Sequence, residues 1–219
     1  MDKSIYLFFI GGMFAMFLVM WLCSSVYGVD LWKVAVTALI LTATGCYGAK
    51  LMHFIESGSW GGRSLYGAIF LVPVIMLPTA TLLKIRYGEL MDLCSPAGCV
   101  MLALLKVKCM IDGCCRGRLI SVGNYEFIFP SQKVESVTFV IILIIVIVMI
   151  FKRRHYTQVY PCFMVIYGFA RFFLNLLRET TPWIGPLPAG NFWSIISVMT
   201  GFAILCLIKQ HECNLSKDE

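Results

Sequence analysis

At 219 residues the chain is long enough for one domain and short for two. Only 14% of its residues are charged and 59% are apolar, whereas a soluble domain carries about 25% charged residues, so an ordinary soluble fold is excluded. The net charge of +6 suits contact with anionic lipid headgroups, and without a basic domain outside the apolar runs it does not suit nucleic acid.

Seven apolar runs approach the roughly 20 residues that carry a helix across a bilayer: about 4–26, 31–52, 65–85, 90–111, 134–151, 158–177 and 191–209. They use most of the chain. The sequence therefore predicts an all-α polytopic membrane protein with seven transmembrane helices, built as a single domain over 1–219. Asp2 and Lys3 precede the first run and no small-residue cleavage site follows it, so it is expected to be a retained helix and not a leader. The strongest run is Val134–Phe151, and Lys152, Arg153 and Arg154 follow it directly.

Seven crossings put the termini on opposite sides. Lys33, Lys84, Arg86, Lys152, Arg153, Arg154, Lys209 and Lys217 fall on one side, which the positive-inside rule makes cytoplasmic. A raw count runs against this, with eight Lys and Arg on that side and ten on the other. Most of the ten lie in one long polar loop or at span ends as site candidates. The expectation is an outside N-terminus and a cytoplasmic C-terminus. The outer loops are then 53–64, 112–133 and 178–190, three polar, glycine-rich segments brought to one face. Such backbone is tolerated at a membrane only where it packs on protein or lines a cavity.

Each loop offers candidate chemistry. Gly61-Gly62-Arg63-Ser64-Leu65-Tyr66-Gly67 opens the third span; glycines there let backbone N–H groups approach an anion. Tyr66 is either a hydroxyl donor or a member of the interfacial aromatic belt, and Trp60 and Trp183 also suit that belt. Lys106 to Arg118 gathers four cations, Asp112, Gly113, Gly117 and Cys109, Cys114 and Cys115. Zinc is disfavoured, since the spacing is not C-x₂-C and no histidine is near. The three cysteines are either small packed residues or thiols activated by Lys108, Arg116 and Arg118. Six further cysteines (Cys23, Cys46, Cys94, Cys99, Cys162, Cys206) lie in apolar spans and are read as fillers.

Pro130-Ser131-Gln132-Lys133-Val134-Glu135 opens the fifth span. Ser131 can cap the helix. Glu135, just inside a strongly apolar run, needs a cation from another segment. In the sixth span Arg171 and Asn175 are four residues apart and share a helix face, with Arg178 one turn on. Arg178 either snorkels to the interface or joins the site. Arg171 is nearly two turns deep, and a guanidinium forks onto two phosphate oxygens.

Taken in order, these pieces resemble the prolipoprotein diacylglyceryl transferase family of bacterial membrane enzymes, over nearly the whole chain. The resemblance rests on Gly48-Ala49-Lys50, Gly61-Gly62-Arg63-Ser64-Leu65-Tyr66-Gly67, and the loop Cys109-x-x-Asp112-Gly113-Cys114-Cys115-x-Gly117. It continues with Pro130-Ser131-Gln132-x-x-Glu135, Tyr167-Gly168-x-x-Arg171, and Asn191 and Ser194 at the start of the seventh span. It implies a seven-helix bacterial plasma-membrane protein, N-out and C-in. Such a protein moves the diacylglyceryl group of phosphatidylglycerol onto a cysteine thiol of a lipoprotein precursor and releases glycerol phosphate. By resemblance Arg171, Lys106, Glu135 and Tyr66 sit at the chemistry. Lys50, Arg63, Gln132, Gly113, Gly117, Asn175 and Arg178 hold the lipid headgroup, and Cys109, Cys114 and Cys115 form a possible thiol site, with no metal and no cofactor.

The chain departs from the family at several of these positions. The family's histidine falls on Tyr66, a phenol that holds its proton at neutral pH. Its arginine before the loop falls on Lys106, its asparagine on Cys109, and two glutamates on Cys114 and Asn175. With two acids replaced, the site is expected to be more cationic than the family's, which fits a divergent branch marked by the G-C-C-x-G loop. The alternatives are the same fold acting on another thiol or alcohol acceptor, or a non-catalytic membrane protein that binds anionic phospholipid. A channel is less well supported, since the charges sit at span ends.

Overall fold

A bilayer core offers no water to backbone N–H and C=O groups, so apolar runs of this length satisfy them internally as helices. The computed structural model describes residues 3–113, 117–122, 125–152, 157–178 and 183–215. Its elements in chain order are α1 (Lys3–Tyr27), α2 (Leu31–Ser57), α3 (Leu65–Leu83), α4 (Tyr87–Ile111), β1 (Leu119–Val122), β2 (Tyr125–Ile128), α5 (Ser131–Phe151), α6 (Val159–Leu176), β3 (Trp183–Ile184), β4 (Leu187–Pro188) and α7 (Ala189–Leu215). All seven helices are long and apolar enough to cross a membrane. The protein is a multi-pass membrane protein with the expected all-α body. Large apolar side chains such as Leu82, Ile141, Ile144, Phe173 and Met199 face outward, as lipid contact requires.

The helix α4 is the most enclosed of the seven and touches α1, α3, α5 and α6. Helices close on one another through glycine. Gly48 of α2 and Gly67 of α3 approach backbone to backbone, so a Cβ on either would strike the other's carbonyl. Without a hydrophobic drive between helices in lipid, such small-residue contacts supply the dispersion that holds them together.

Asp92 of α4 is fully buried and was not singled out by its sequence. Its carboxylate accepts the Tyr27 hydroxyl at 3.2 Å and the backbone N–H groups of Thr157 at 2.8 Å, Val159 at 3.1 Å and Tyr160 at 3.3 Å. These N–H groups open α6, where a helix leaves its donors unpaired and favours negative charge. The turn before α6 is tightly set. Thr157 has a left-handed backbone (φ 65°), and its side chain lies where any Cβ on Gly88 would be. Asp92 thus ties the start of α6 to α4 and α1. Asp92→Asn keeps the shape but turns an amide N–H₂ toward donors. It is expected to cost about 2–3 kcal/mol, the value of one or two charge-assisted hydrogen bonds. That loss will show as a lower thermal midpoint in detergent, and an unchanged midpoint would contradict this role.

The polar segments differ from the expected irregular loops. α2 runs on to Ser57 and ends at left-handed Gly58, which shortens the first loop. The second contains an antiparallel hairpin with Leu119 opposite Ile128, and the third a two-residue hairpin leading directly into α7. The second loop is stitched to the end of α6: Gly117 pairs with Arg178, the Arg118 N–H donates to the Leu177 carbonyl at 2.9 Å, and the Arg118 side chain donates to the Arg178 carbonyl at 2.8 Å.

Candidate active site

Glu135 lies five residues into α5, pinned there because Ser136 donates to the Ala103 carbonyl of α4 at 3.2 Å. Its side chain is 2% exposed. One oxygen pairs with Lys106 of α4. The other lies 2.6 Å from Nη1 of Arg171, in the C-terminal half of α6, and 3.8 Å from Nε of Arg178, just beyond the end of that helix. All three cations are nearly buried, between 11% and 13% exposed. One carboxylate facing three cations leaves two positive charges unmatched. In a low-dielectric setting that imbalance is costly, and an anion relieves it. Nε of Arg171 and Nε of Arg178 are buried without a hydrogen-bond partner among the described residues.

An aromatic wall closes the inner side. Tyr167 lies between Phe139 and Phe163, with ring centroids 5.7 and 5.8 Å away, and 5.7 Å from Tyr66. Tyr66 is 2% exposed, so it is no member of an interfacial belt. Its hydroxyl lies 2.5 Å from Ser194 Oγ. Ser194 spends its own proton on the Gly190 carbonyl at 2.7 Å, so Tyr66 is the donor. A cavity of about 10 Å³ between α5 and α6, roughly enough for one water molecule, touches Glu135 and Arg171. A larger cleft of about 240 Å³ opens between α6 and α7, lined by Phe169, Phe172, Phe173, Ile195, Val198 and Met199.

The structure brings together Lys106, Glu135, Arg171 and Arg178. Asn175 is buried on the same helix as Arg171. Arg178 turns inward and does not snorkel. Gln132 is half-buried in the first turn of α5, and Cys109 half-buried in the last turn of α4. Gly117 is buried, and a Cβ there would strike the Phe129 carbonyl. Gly113 is exposed in a left-handed turn (φ 65°). Lys50 and Arg63 are exposed and form no ion pair among the described residues, so they stand apart from the Glu135 cluster. Cys114, Cys115 and Arg116 lie outside the described residues.

Two expectations need correction. Pro130, not Ser131, occupies the cap position, and Ser131 is the first helical residue: proline's fixed φ suits the turn into the helix, and Ser131 is buried against the bundle. The cation-rich run is also no single block. Lys108 is neutralised within its own helix end by Asp112, which leaves Lys106 as its contribution to the cluster. Tyr167 was named in the sequence only within the Tyr167-Gly168-x-x-Arg171 motif and given no role, because an aromatic residue in mid-span carries no signal beyond its hydropathy.

The family model for prolipoprotein diacylglyceryl transferase matches residues 6–207. Among curated relatives, the phosphatidylglycerol–prolipoprotein diacylglyceryl transferase of Ehrlichia ruminantium (strain Welgevonden) is 27% identical over 165 residues, covering 67% of this chain and 64% of the relative. That of Geobacter sulfurreducens is 27% identical over 166 residues, covering 69% and 64%. That of Finegoldia magna is 24% identical over 166 residues, covering 73% and 66%. The match thus spans just under two thirds of the length of these relatives. A family match that takes in all seven helices and the whole charged cluster has one consequence: this chain belongs to the prolipoprotein diacylglyceryl transferase family.

Proposed function

We propose that the protein transfers the diacylglyceryl group of phosphatidylglycerol, or a closely related anionic phospholipid, to a cysteine thiol of a lipoprotein precursor. The observation that carries this reading is the buried cluster of Lys106, Arg171 and Arg178 around the single carboxylate of Glu135. A phosphodiester brings the missing negative charge, and Arg171 suits it because guanidinium donors pair with two oxygens at once. The apolar cleft beside Phe172 accepts an acyl chain of the same lipid. The loops at the cluster end are assigned to the outer face of a bacterial plasma membrane, since the short turns at the other end carry Lys84, Arg86 and Lys152 to Arg154.

In the proposed reaction the acceptor sulfur forms a bond to the glycerol carbon that carries the phosphate ester, and the carbon–oxygen bond breaks. Glycerol phosphate departs with the extra negative charge on oxygen, and the thiol proton ends on that phosphate or in solvent. Arg171, Arg178 and Lys106 stabilise the charge that develops on the leaving oxygen. The same cations favour the thiolate over the thiol. The Tyr66 oxygen is assigned to accept a hydrogen bond from the acceptor thiol and so aim the sulfur. Glu135 holds the three cations in one place. Lys50 and Arg63, outside the cluster, are assigned to headgroups at the entrance.

The test uses the purified protein, phosphatidylglycerol and a lipobox peptide, followed by mass spectrometry. The expected products are glycerol phosphate and a peptide heavier by one diacylglyceryl group. Tight binding of phosphatidylglycerol with neither product would replace the transferase reading with that of a lipid-binding protein.

A further inference from the structure

The cation cluster explains a phosphate, but it leaves two buried amides unexplained. Asn175 is 3% exposed and Asn191 2% exposed. Both the Nδ2 and the Oδ1 of Asn175 lack a hydrogen-bond partner among the described residues, and so does the Oδ1 of Asn191. Buried polar atoms without partners are rare in folded proteins, because their desolvation goes uncompensated. Exchanging the amide ends of Asn175 changes nothing, since both are unpaired.

The two amides belong together. The Asn175 side chain lies directly over Gly190 in the first turn of α7, where any Cβ would overlap it, and Asn191 is the next residue. Asn175 is also four residues from Arg171 on α6, the spacing that keeps two side chains on one helix face, and Arg178 follows just beyond the end of that helix. The amides therefore flank the cations at the junction of α6 and α7.

A phosphodiester cannot satisfy this pair. It has acceptors only, and an orphaned Oδ1 needs a donor. The ligand that supplies the phosphate must also carry donors on its head. An ammonium group would donate, but it would sit beside a cluster that already holds more positive than negative charge, and like charges repel. Neutral hydroxyls donate and accept without that penalty, which matches an amide offering both. We infer that Asn175 and Asn191 form a subsite that reads the hydroxyl groups of a polyol headgroup, and so select a hydroxylated anionic phospholipid over one with the same charge and no hydroxyls. This rests on the phosphate reading above and adds the headgroup specificity.

The experiment compares four lipids with identical acyl chains on the full-length protein in mixed micelles: phosphatidylglycerol, phosphatidylmethanol, phosphatidylethanolamine and phosphatidylcholine. Wild type is expected to bind phosphatidylglycerol at least roughly tenfold more tightly than phosphatidylmethanol, the effect of one or two hydrogen bonds to otherwise unpaired groups. Phosphatidylethanolamine should fall below phosphatidylmethanol. Asn175→Leu and Asn191→Leu should each lower the ratio of phosphatidylglycerol to phosphatidylmethanol affinity from about tenfold toward one. Free glycerol phosphate, which lacks acyl chains, should bind far more weakly than phosphatidylglycerol; equal binding would keep the polyol subsite and identify its ligand as soluble. Equal wild-type affinity for phosphatidylglycerol and phosphatidylmethanol would overturn the inference, would mean that the amides are served by water, and needs no folded variant. Equal affinity for anionic lipids and phosphatidylcholine would instead overturn the phosphate reading itself.

Discussion

Arg171→Ala is expected to abolish transfer, with a loss of about 10²–10³ in rate, the scale seen when one donor to a developing oxyanion is removed. Arg171 lies closest of the two arginines to Glu135, at 2.6 Å, and its Nε is still free, so it has capacity left for a ligand. The variant should fold. Glu135 keeps Lys106 and Arg178, and removing one of three cations lowers the excess positive charge. Binding of phosphatidylglycerol should weaken in parallel. Arg171→Lys separates charge from geometry: an ammonium restores the charge but not the planar fork, so it should recover part of the binding and little of the rate. The measurements are lipid affinity in mixed micelles and the transfer rate to a lipobox peptide. A variant that stays within about twofold of wild type in both would remove Arg171 from the chemistry, against the 10²-fold or greater loss expected of such a donor.

The positions of the seven spans were legible because hydropathy is a local property, and each run carries its own evidence for a helix. The need for a partner at Glu135 was legible for a similar reason: an acid just inside the apolar run 134–151 cannot stay alone in lipid. Its partners could be named only as cations from elsewhere, since periodicity within a helix does not say which helices meet. Asp92 was not legible. Three of its four partners are backbone N–H groups at the start of another helix, and a backbone donor leaves no mark in a sequence. Lys108 was misleading for the opposite reason. It sits in the same cation-rich run as Lys106, yet two residues of helical rotation point it to Asp112. The hairpin Leu119–Ile128 was read as irregular loop because its strands are only four residues long. Asn191 was visible as part of a resemblance, but its burial beside Gly190 depends on how α7 packs against α6.

Glu135→Gln should be the most damaging change to the fold. The side chain keeps its size and its place in α5, but the three cations lose the one negative charge they share among the described residues. Breaking a buried ion pair from one side costs about 3–5 kcal/mol, because the remaining charge stays desolvated and unmatched. The lipid-free variant should therefore show a markedly lower thermal midpoint in detergent. The same argument fixes the sign of the response to lipid. With Glu135 neutral, the cluster carries more unmatched positive charge, so phosphatidylglycerol should raise the midpoint of Glu135→Gln by more than it raises that of wild type. Adding Lys106→Met removes one of the stranded cations, and the double variant should regain part of the lost stability without lipid. Those two responses distinguish an electrostatic keystone from a merely well-packed side chain: loss of packing would be insensitive to lipid charge, and it would be made worse, not better, by a second substitution at Lys106.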